Sequence, residues 1–235
     1  MERIDKILAS QGLGSRRDVH KLIKQKAVTV DGEIVLKPEL KIDPEKSEIR
    51  VNGNTLSVKK YIYIMMNKPA GVLSASNDER EKTVIDILPP ELRRKNLFPA
   101  GRLDKDTEGL TIITDDGDFA HKILSPKNHV YKRYYAELDS ELSEDMISAF
   151  KEGVVFNDGT KCLPAALEIR DKHSAYVEIC EGKYHQVKKM FAVFGLKVKY
   201  LKRLSIGGLE LDSNLHIGES RELTNLEKRT IFIGK

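Results

Sequence analysis

Residues 101–117 read GRLDKDTEGLTIITDDG. The run divides in two. LTIIT, residues 110–114, is apolar and β-branched, which predicts a buried strand. Asp115-Asp116-Gly117 then predicts a turn into the short helix DFAHKIL, so the two aspartates read as a turn and not as a metal pair. Ahead of the strand, Arg102, Asp104, Lys105, Asp106 and Glu108 crowd five charges into one short loop. A bland surface loop is polar too, and an exposed Arg102–Asp104 pair would contribute under about 1 kcal/mol. Against that reading, a carboxylate held among cationic groups stays ionised at neutral pH, and an oriented carboxylate can serve as nucleophile or base.

Working outward, YIYIMM (61–66) reads as a buried strand, and Asn67-Lys68-Pro69-Ala70-Gly71 as a turn at its end. TVIDILPPELRRKNLFPAGRLD (83–104) holds a short helix start and proline breaks. YKRYYAEL (131–138) predicts a strand on which Tyr131 and Tyr135 face away from Tyr134. LSEDMISAFKEGV (142–154) predicts a helix ending at Gly153. AALEIR and AYVEICEG predict strands. HQVKKMFAVFG (185–195) predicts an amphipathic helix with Val187, Met190, Phe191 and Phe194 on the core stripe. It follows EGKYHQVKKM (181–190), a second strand-to-helix junction that can supply a cation to the charged loop. His185 there reads as a structural residue at the helix start. Hairpin-like strands mixed with scattered helices make this an α+β chain, with a mixed, mostly antiparallel sheet.

The N-terminal end has its own organisation. Ile4, Ile7 and Leu8 have helical spacing, and Gly12 offers a C-cap. Ser15 and Asp18 match a capping box, which opens a second helix with Val19, Leu22 and Ile23 inside and Arg16, Arg17, Lys21 and Lys24 outside. VTV-DG-EIV (28–35) predicts a hairpin, and KSEIRVNG (46–53) a further strand ending in a turn. SVKK after Leu56 is a polar joint, so the chain is expected to divide into domains at 1–58 and 59–235.

The chain has 235 residues, 40% hydrophobic and 32% charged, enough for a real core. Its apolar runs are too short to span a bilayer. MERIDKILAS lacks a signal-peptide core, which suggests a cytoplasmic protein. Cys162 and Cys180 form no CxxC and read as ordinary thiols. The net charge is +4, and its distribution says more: residues 182–203 hold seven Lys or Arg and no acid, and residues 1–28 hold seven against three acids. Two separate basic segments suit an extended anion such as RNA, although either alone reads as a solvated helix face.

Two resemblances follow. RIDKILASQGLGSRRDVHKLIKQKAVTVDGEIV resembles the S4-type RNA-binding domain, which implies RNA contacts at Arg3, Lys6, Ser15, Arg16, Arg17 and Lys21. NKPAGV, GRLDKDTEGL, KRYY, EGKYHQVKKMFAVFG and VKYLKRLSIGGLEL, in that order, resemble the motifs of the pseudouridine synthases. With the IGESRELT tail they are most similar to the RsuA family, which modifies small-subunit ribosomal RNA. The resemblance implies conversion of one uridine of 16S rRNA, the position numbered 516, to pseudouridine, with no cofactor or metal. Asp104 would be the essential carboxylate, attacking the sugar or the base or taking a ribose proton. Tyr134 would stack on the flipped uracil, and Lys188 would pair with Asp104 at a place where the family often has Arg. Arg102, Leu201, Asn67 and Lys68 would bind the substrate, although Lys68 reads equally as a turn residue. Lys105, Asp106 and Glu108 would support the loop. The expected partner is 16S rRNA or a small-subunit assembly intermediate, bound by a monomer away from any membrane. The rival functions are a synthase for 23S rRNA, a non-catalytic rRNA-binding assembly factor, and a glycoside hydrolase.

Overall fold

The computed structural model describes residues 1–233. The chain forms two compact units, one of residues 1–62 with 90–96, the other of 63–89 with 97 onward.

In the first unit, helices Ile4–Ser10 and Arg16–Lys24 precede strands Val28–Val30, Glu33–Ile34, Ile49–Val51 and Asn54–Thr55. Ser15 caps the second helix: its Oγ accepts from the Asp18 N–H, and the Asp18 carboxylate accepts from the Ser15 N–H. Asp31 and Gly32 both take positive φ, 51° and 87°, as a two-residue hairpin of this twist requires. Ile4, Leu8, Val19, Ile23, Val28 and Ile49 form the core. Pro90–Leu92 is a single 3-10 turn.

The second unit is built on a nine-stranded sheet. Along its main path the order is Ala166–Asp171, Ser174–Ile179, Lys132–Leu138, Val198–Ile206, Glu108–Thr114, Tyr63–Lys68 and Ser220–Glu222. Phe98–Pro99 and Leu209–Glu210 pair at the side. All pairings are antiparallel except that between Val198–Ile206 and Glu108–Thr114, where Lys202 registers with Glu108 and Arg203 with Gly109. That short parallel joint links the two halves of the sheet. Gly109 sits there at φ +100°, and a Cβ on it would lie 2.2 Å from the Arg203 carbonyl oxygen, so the joint admits only glycine. Each half has its own core. Tyr134, Ala136 and Leu138 pack with Met146, Phe150 and Phe191. Met65, Leu110, Ile112 and Ile123 form the second core, joined by Ile206 from the strand across the joint.

The α+β reading holds, with local differences. The strand Tyr63–Lys68 runs on through Asn67 and Lys68, so the turn begins only at Pro69. Residues 84–88 are turns, not a helix. The Thr83 N–H and hydroxyl both donate to Asp86 Oδ2, a local alternative to helical bonding, and Pro89 and Pro90 bar its extension. Asp116 caps helix Gly117–Leu124 by accepting from the Phe119 N–H, and it also accepts from the Tyr63 hydroxyl. Among the described residues no helix is long and apolar enough to cross a membrane.

Candidate active site

The charged loop is held from below by the NKPAGV segment. Lys68 is fully buried. Its Nζ donates to the carbonyls of Pro69 at 2.9 Å, Lys105 at 3.2 Å and Thr107 at 2.8 Å, which uses all three of its N–H bonds. Gly71 N–H donates to the same Lys105 carbonyl at 2.7 Å. Leu103 N–H donates to Ser74 Oγ at 3.1 Å, and Thr107 N–H to the Asp104 carbonyl at 3.1 Å. Asp104 therefore sits on a loop whose backbone is tied on both sides of it. Burial brings the Lys68 ammonium down to about 8, against the opposing pull of Asp106, Glu108 and Asp104.

The Asp104 carboxylate, about a quarter exposed, points toward the helix Gln186–Ala192. Lys188 Nζ lies 3.2 Å from Asp104 Oδ2 and 2.6 Å from Asp106 Oδ1, so one ammonium bridges two carboxylates. Burial would lower the Lys188 ammonium, but its bonds to Asp106 and Asp104 prevail and hold it above the ordinary lysine value. Burial opposes ionisation of Asp106, and Lys188 overrides it, holding that carboxyl below its usual range. His185 Nε2 lies 3.5 Å from Asp104 Oδ1.

Tyr134 is buried and alternates inward on its strand with Lys132 and Ala136, while Arg133 and Tyr135 turn outward. Its hydroxyl accepts from Arg203 Nη1 at 3.5 Å. Arg203 is itself buried and donates through Nε to the Leu110 carbonyl at 2.7 Å. A cavity of about 640 Å³ is lined by Arg102, Asp104, Lys132, Tyr134, His185 and Arg203 among others. A smaller recess shares Asp104 and Tyr134 and adds Leu201. The larger space accommodates a nucleoside, with an oriented carboxylate at its edge and a phenol in its wall.

The structure thus brings Asp104, Lys188, Tyr134, Arg102 and Leu201 to one place. It does not bring Asn67 or Lys68 into the cavity. Successive residues of a strand face opposite ways. Lys68 turns under the loop and offers no surface to a substrate, so the reading of it as a contact is corrected. Asn67 turns the other way into a separate cavity of about 460 Å³ with Arg133, Tyr176 and Lys202. Its Nδ2 donates to the Leu215 carbonyl at 2.8 Å. Glu108 accepts from the Tyr200 hydroxyl at 2.8 Å and so supports the joint.

In the N-terminal unit, Arg16 and Arg17 are exposed, with no ion-pair or hydrogen-bond partner among the described residues. The other four candidates have partners: Arg3 with Asp5, Lys6 with Glu2, Lys21 with Asp18, and Ser15 within its own cap.

Sequence reasoning missed the share of Lys188 held by Asp106, the anchor at Ser74, and the burial of Arg203. The last was counted with the basic segment, although its position two residues past Leu201 on a strand was a signal that it points inward.

Comparison with known proteins identifies the family. Residues 62–193 match the family described as RNA pseudouridylate synthase. Residues 2–49 match the S4 domain. An uncharacterized RNA pseudouridine synthase of Bacillus subtilis, YtzG, is 48% identical over 229 residues, 96% of each chain. The ribosomal small subunit pseudouridine synthase A of Yersinia pestis is 40% identical over 227 residues, 96% of each chain. That of Escherichia coli K12 is 40% identical over 227 residues, 96% of this chain and 97% of its own. A crystal structure of a pseudouridylate synthase superposes with a TM-score of 0.69 at 37% identity, covering 98% of this chain and 100% of its own. A charged loop tied beneath a nucleoside-sized cavity, a family match over more than half the chain, and full-length relatives lead to one conclusion: the chain belongs to the RNA pseudouridylate synthases and is an isomerase with an S4 domain at its N-terminal end.

Proposed function

We propose that the enzyme converts one uridine of 16S ribosomal RNA, the position numbered 516, to pseudouridine. The observation that carries the chemistry is the Asp104 carboxylate, bridged by Lys188 and facing the Tyr134 cavity. The choice of RNA is supported by the 40% identity, over nearly the whole chain, to enzymes named for the small ribosomal subunit. Residues 1–58 would grip the RNA, chiefly through the free cations Arg16 and Arg17, with Arg3, Lys6, Ser15 and Lys21 alongside. Residues 59–235 would carry the chemistry. The monomer acts in the cytoplasm, where the rRNA is.

The reaction is atom-neutral. The target base leaves the stack and enters the cavity. The C1′–N1 bond breaks, uracil turns, and a C1′–C5 bond forms. C5 loses its hydrogen as a proton and N1 gains one, so the product is an isomer and no cofactor or metal is required. Asp104 acts by attack on C1′, by attack on the base, or by removing a ribose proton. Each route needs a carboxylate held in place, which is what Lys188 and the tied loop provide. Lysine lacks the planar fork of arginine, and here it serves two carboxylates instead of gripping one bidentately. Tyr134 supplies the ring against which uracil stacks and a hydroxyl to assist C5 deprotonation. Leu201 lines the uracil recess, and Arg102 at the mouth holds the backbone of the flipped nucleotide.

The test is incubation of the purified protein with unmodified 16S and 23S transcripts and with partly assembled small subunits, followed by carbodiimide labelling and primer extension. One new stop, at position 516 of 16S rRNA, is the expected result. A stop only in 23S rRNA would overturn the substrate.

A further inference from the structure

We propose that Tyr184 is a stacking platform for a nucleobase that neighbours the target uridine in the RNA. This rests on the functional reading above and adds a second base-binding position to it.

Tyr184 is 74% exposed, against 44% for Tyr131 and 41% for Phe232, the next most exposed tyrosine and phenylalanine among the described residues. An exposed ring of this size forgoes much favourable burial. It is nevertheless held still. It stacks on the His185 ring with centroids 3.8 Å apart and planes within 19°. His185 takes a left-handed backbone, φ 53°, at the start of its helix. That conformation is uncommon outside glycine and turns the imidazole toward Asp104. The loop beneath is fastened too. Glu181 accepts from Gln186 Nε2 at 2.8 Å and from the Lys183 ammonium, and Gln186 Oε1 accepts from the Lys183 N–H at 2.8 Å. A ring ordered in advance binds a flat partner at little entropic cost.

The surroundings select the partner. Tyr184 lines the Asp104 cavity together with Arg102, Lys105 and Lys183. Lys105 is paired with Glu81 and Lys183 with Glu181. Arg102 has no partner among the described residues. Lys189 Nζ lies 5.4 Å from the Tyr184 ring centroid, and Lys132 and Arg203, neither in an ion pair among the described residues, line the same cavity. A planar face beside uncompensated cations at a cavity mouth suits a base on a phosphate backbone better than an apolar peptide. Tyr184 reaches Asp104 through a single intervening ring, so the base it would hold belongs to a nucleotide next to the one in the cavity.

Because Tyr184 is exposed, substitution should not disturb folding. RNA binding and single-turnover conversion would be measured on the transcript that the wild-type protein modifies. Tyr184→Ala is expected to weaken binding roughly 5- to 150-fold, with the loss in Kd and in the half-saturating concentration and not in the single-turnover rate at saturation. Tyr184→Phe should restore it, and Tyr184→Leu should not. The salt dependence of binding should keep its slope in Tyr184→Ala and become shallower by about one in Arg102→Gln. Removing the base 5′ or 3′ of the target should cost the wild type the same factor at one of the two positions and cost Tyr184→Ala nothing further. Equal binding by Tyr184→Ala and wild type, rescue by leucine, or indifference to both abasic positions overturns the proposal and leaves the pseudouridine activity standing. A wild-type protein that modifies no RNA would instead overturn the functional reading, and this inference with it.

Discussion

Replacing Lys68 by methionine keeps the length of the side chain and removes its three donors. Lys68 Nζ holds the carbonyls of Pro69, Lys105 and Thr107 at 2.8 to 3.2 Å in a fully buried setting. A hydrogen bond from a charged donor contributes about 1.5–3 kcal/mol net, so three sum to roughly 4–9 kcal/mol. Burying the ammonium costs several kcal/mol in return. Methionine escapes that cost but leaves three carbonyls without this donor, for a net loss of about 2–4 kcal/mol. The loss falls on the Asp104 loop, where the Gly71 and Thr107 amides bond to Lys105 and Asp104. Hydrogen exchange at these amides should accelerate roughly 30- to 700-fold, with a parallel drop in the urea midpoint and in turnover. A variant with loop amides protected as in the parent, and stability within about 0.5 kcal/mol of it, would refute the assignment of Lys68 as the loop's anchor.

Four further outcomes are expected. Lys188→Met should lower kcat/KM about 100-fold while Lys188→Arg retains most activity, and Asp106→Asn should cost less than tenfold, because Asp104 keeps its cation. Pseudouridine formation under single-turnover conditions reads all three. Gly109→Ala should destabilise by more than about 3 kcal/mol, seen as loss of soluble protein or a large fall in melting temperature, since its Cβ has no room and its φ is positive. Lys132 is brought down to about 8 by burial and by Arg203. Its ammonium costs the fold stability below that pH, and the cost is relieved as pH rises from about 8 toward the unfolded value near 10.4. The parent should therefore gain urea stability relative to Lys132→Met between pH 7.5 and 9.5, and a constant difference would contradict the shift.

Much of the fold was legible because its signals are local. The capping box at Ser15 and Asp18, the Asp31-Gly32 hairpin and the β-branched run at 110–114 each specify their backbone within a few residues. The misreadings came from contacts that span the chain. A lysine in a turn-like Asn-Lys-Pro segment reads as surface because lysine is rarely buried. The carbonyls that bury it lie on residues 105 and 107, and no local pattern announces them. Whether a strand stops at Met66 or continues to Lys68 depends on pairing with Leu110 and Gly109, and that same pairing decides that Asn67 faces away from the cavity. Asp104 and Lys188 were linked by motif order alone, since periodicity places each on its element but says nothing about their meeting. Asp106, two residues from Asp104 and closer to Lys188, was indistinguishable in sequence from any other loop charge.

The central claim is that the Asp104 carboxylate drives the isomerisation. The most direct measurement uses 16S rRNA transcribed with tritium at C5 of uridine, since only formation of the C1′–C5 bond at the modified base releases that hydrogen to water. The wild-type protein should release one equivalent per RNA. Asp104→Asn, which keeps the shape and loses the charge, should bind the same RNA and release none. Release by Asp104→Asn at a rate within tenfold of the wild type would contradict the account.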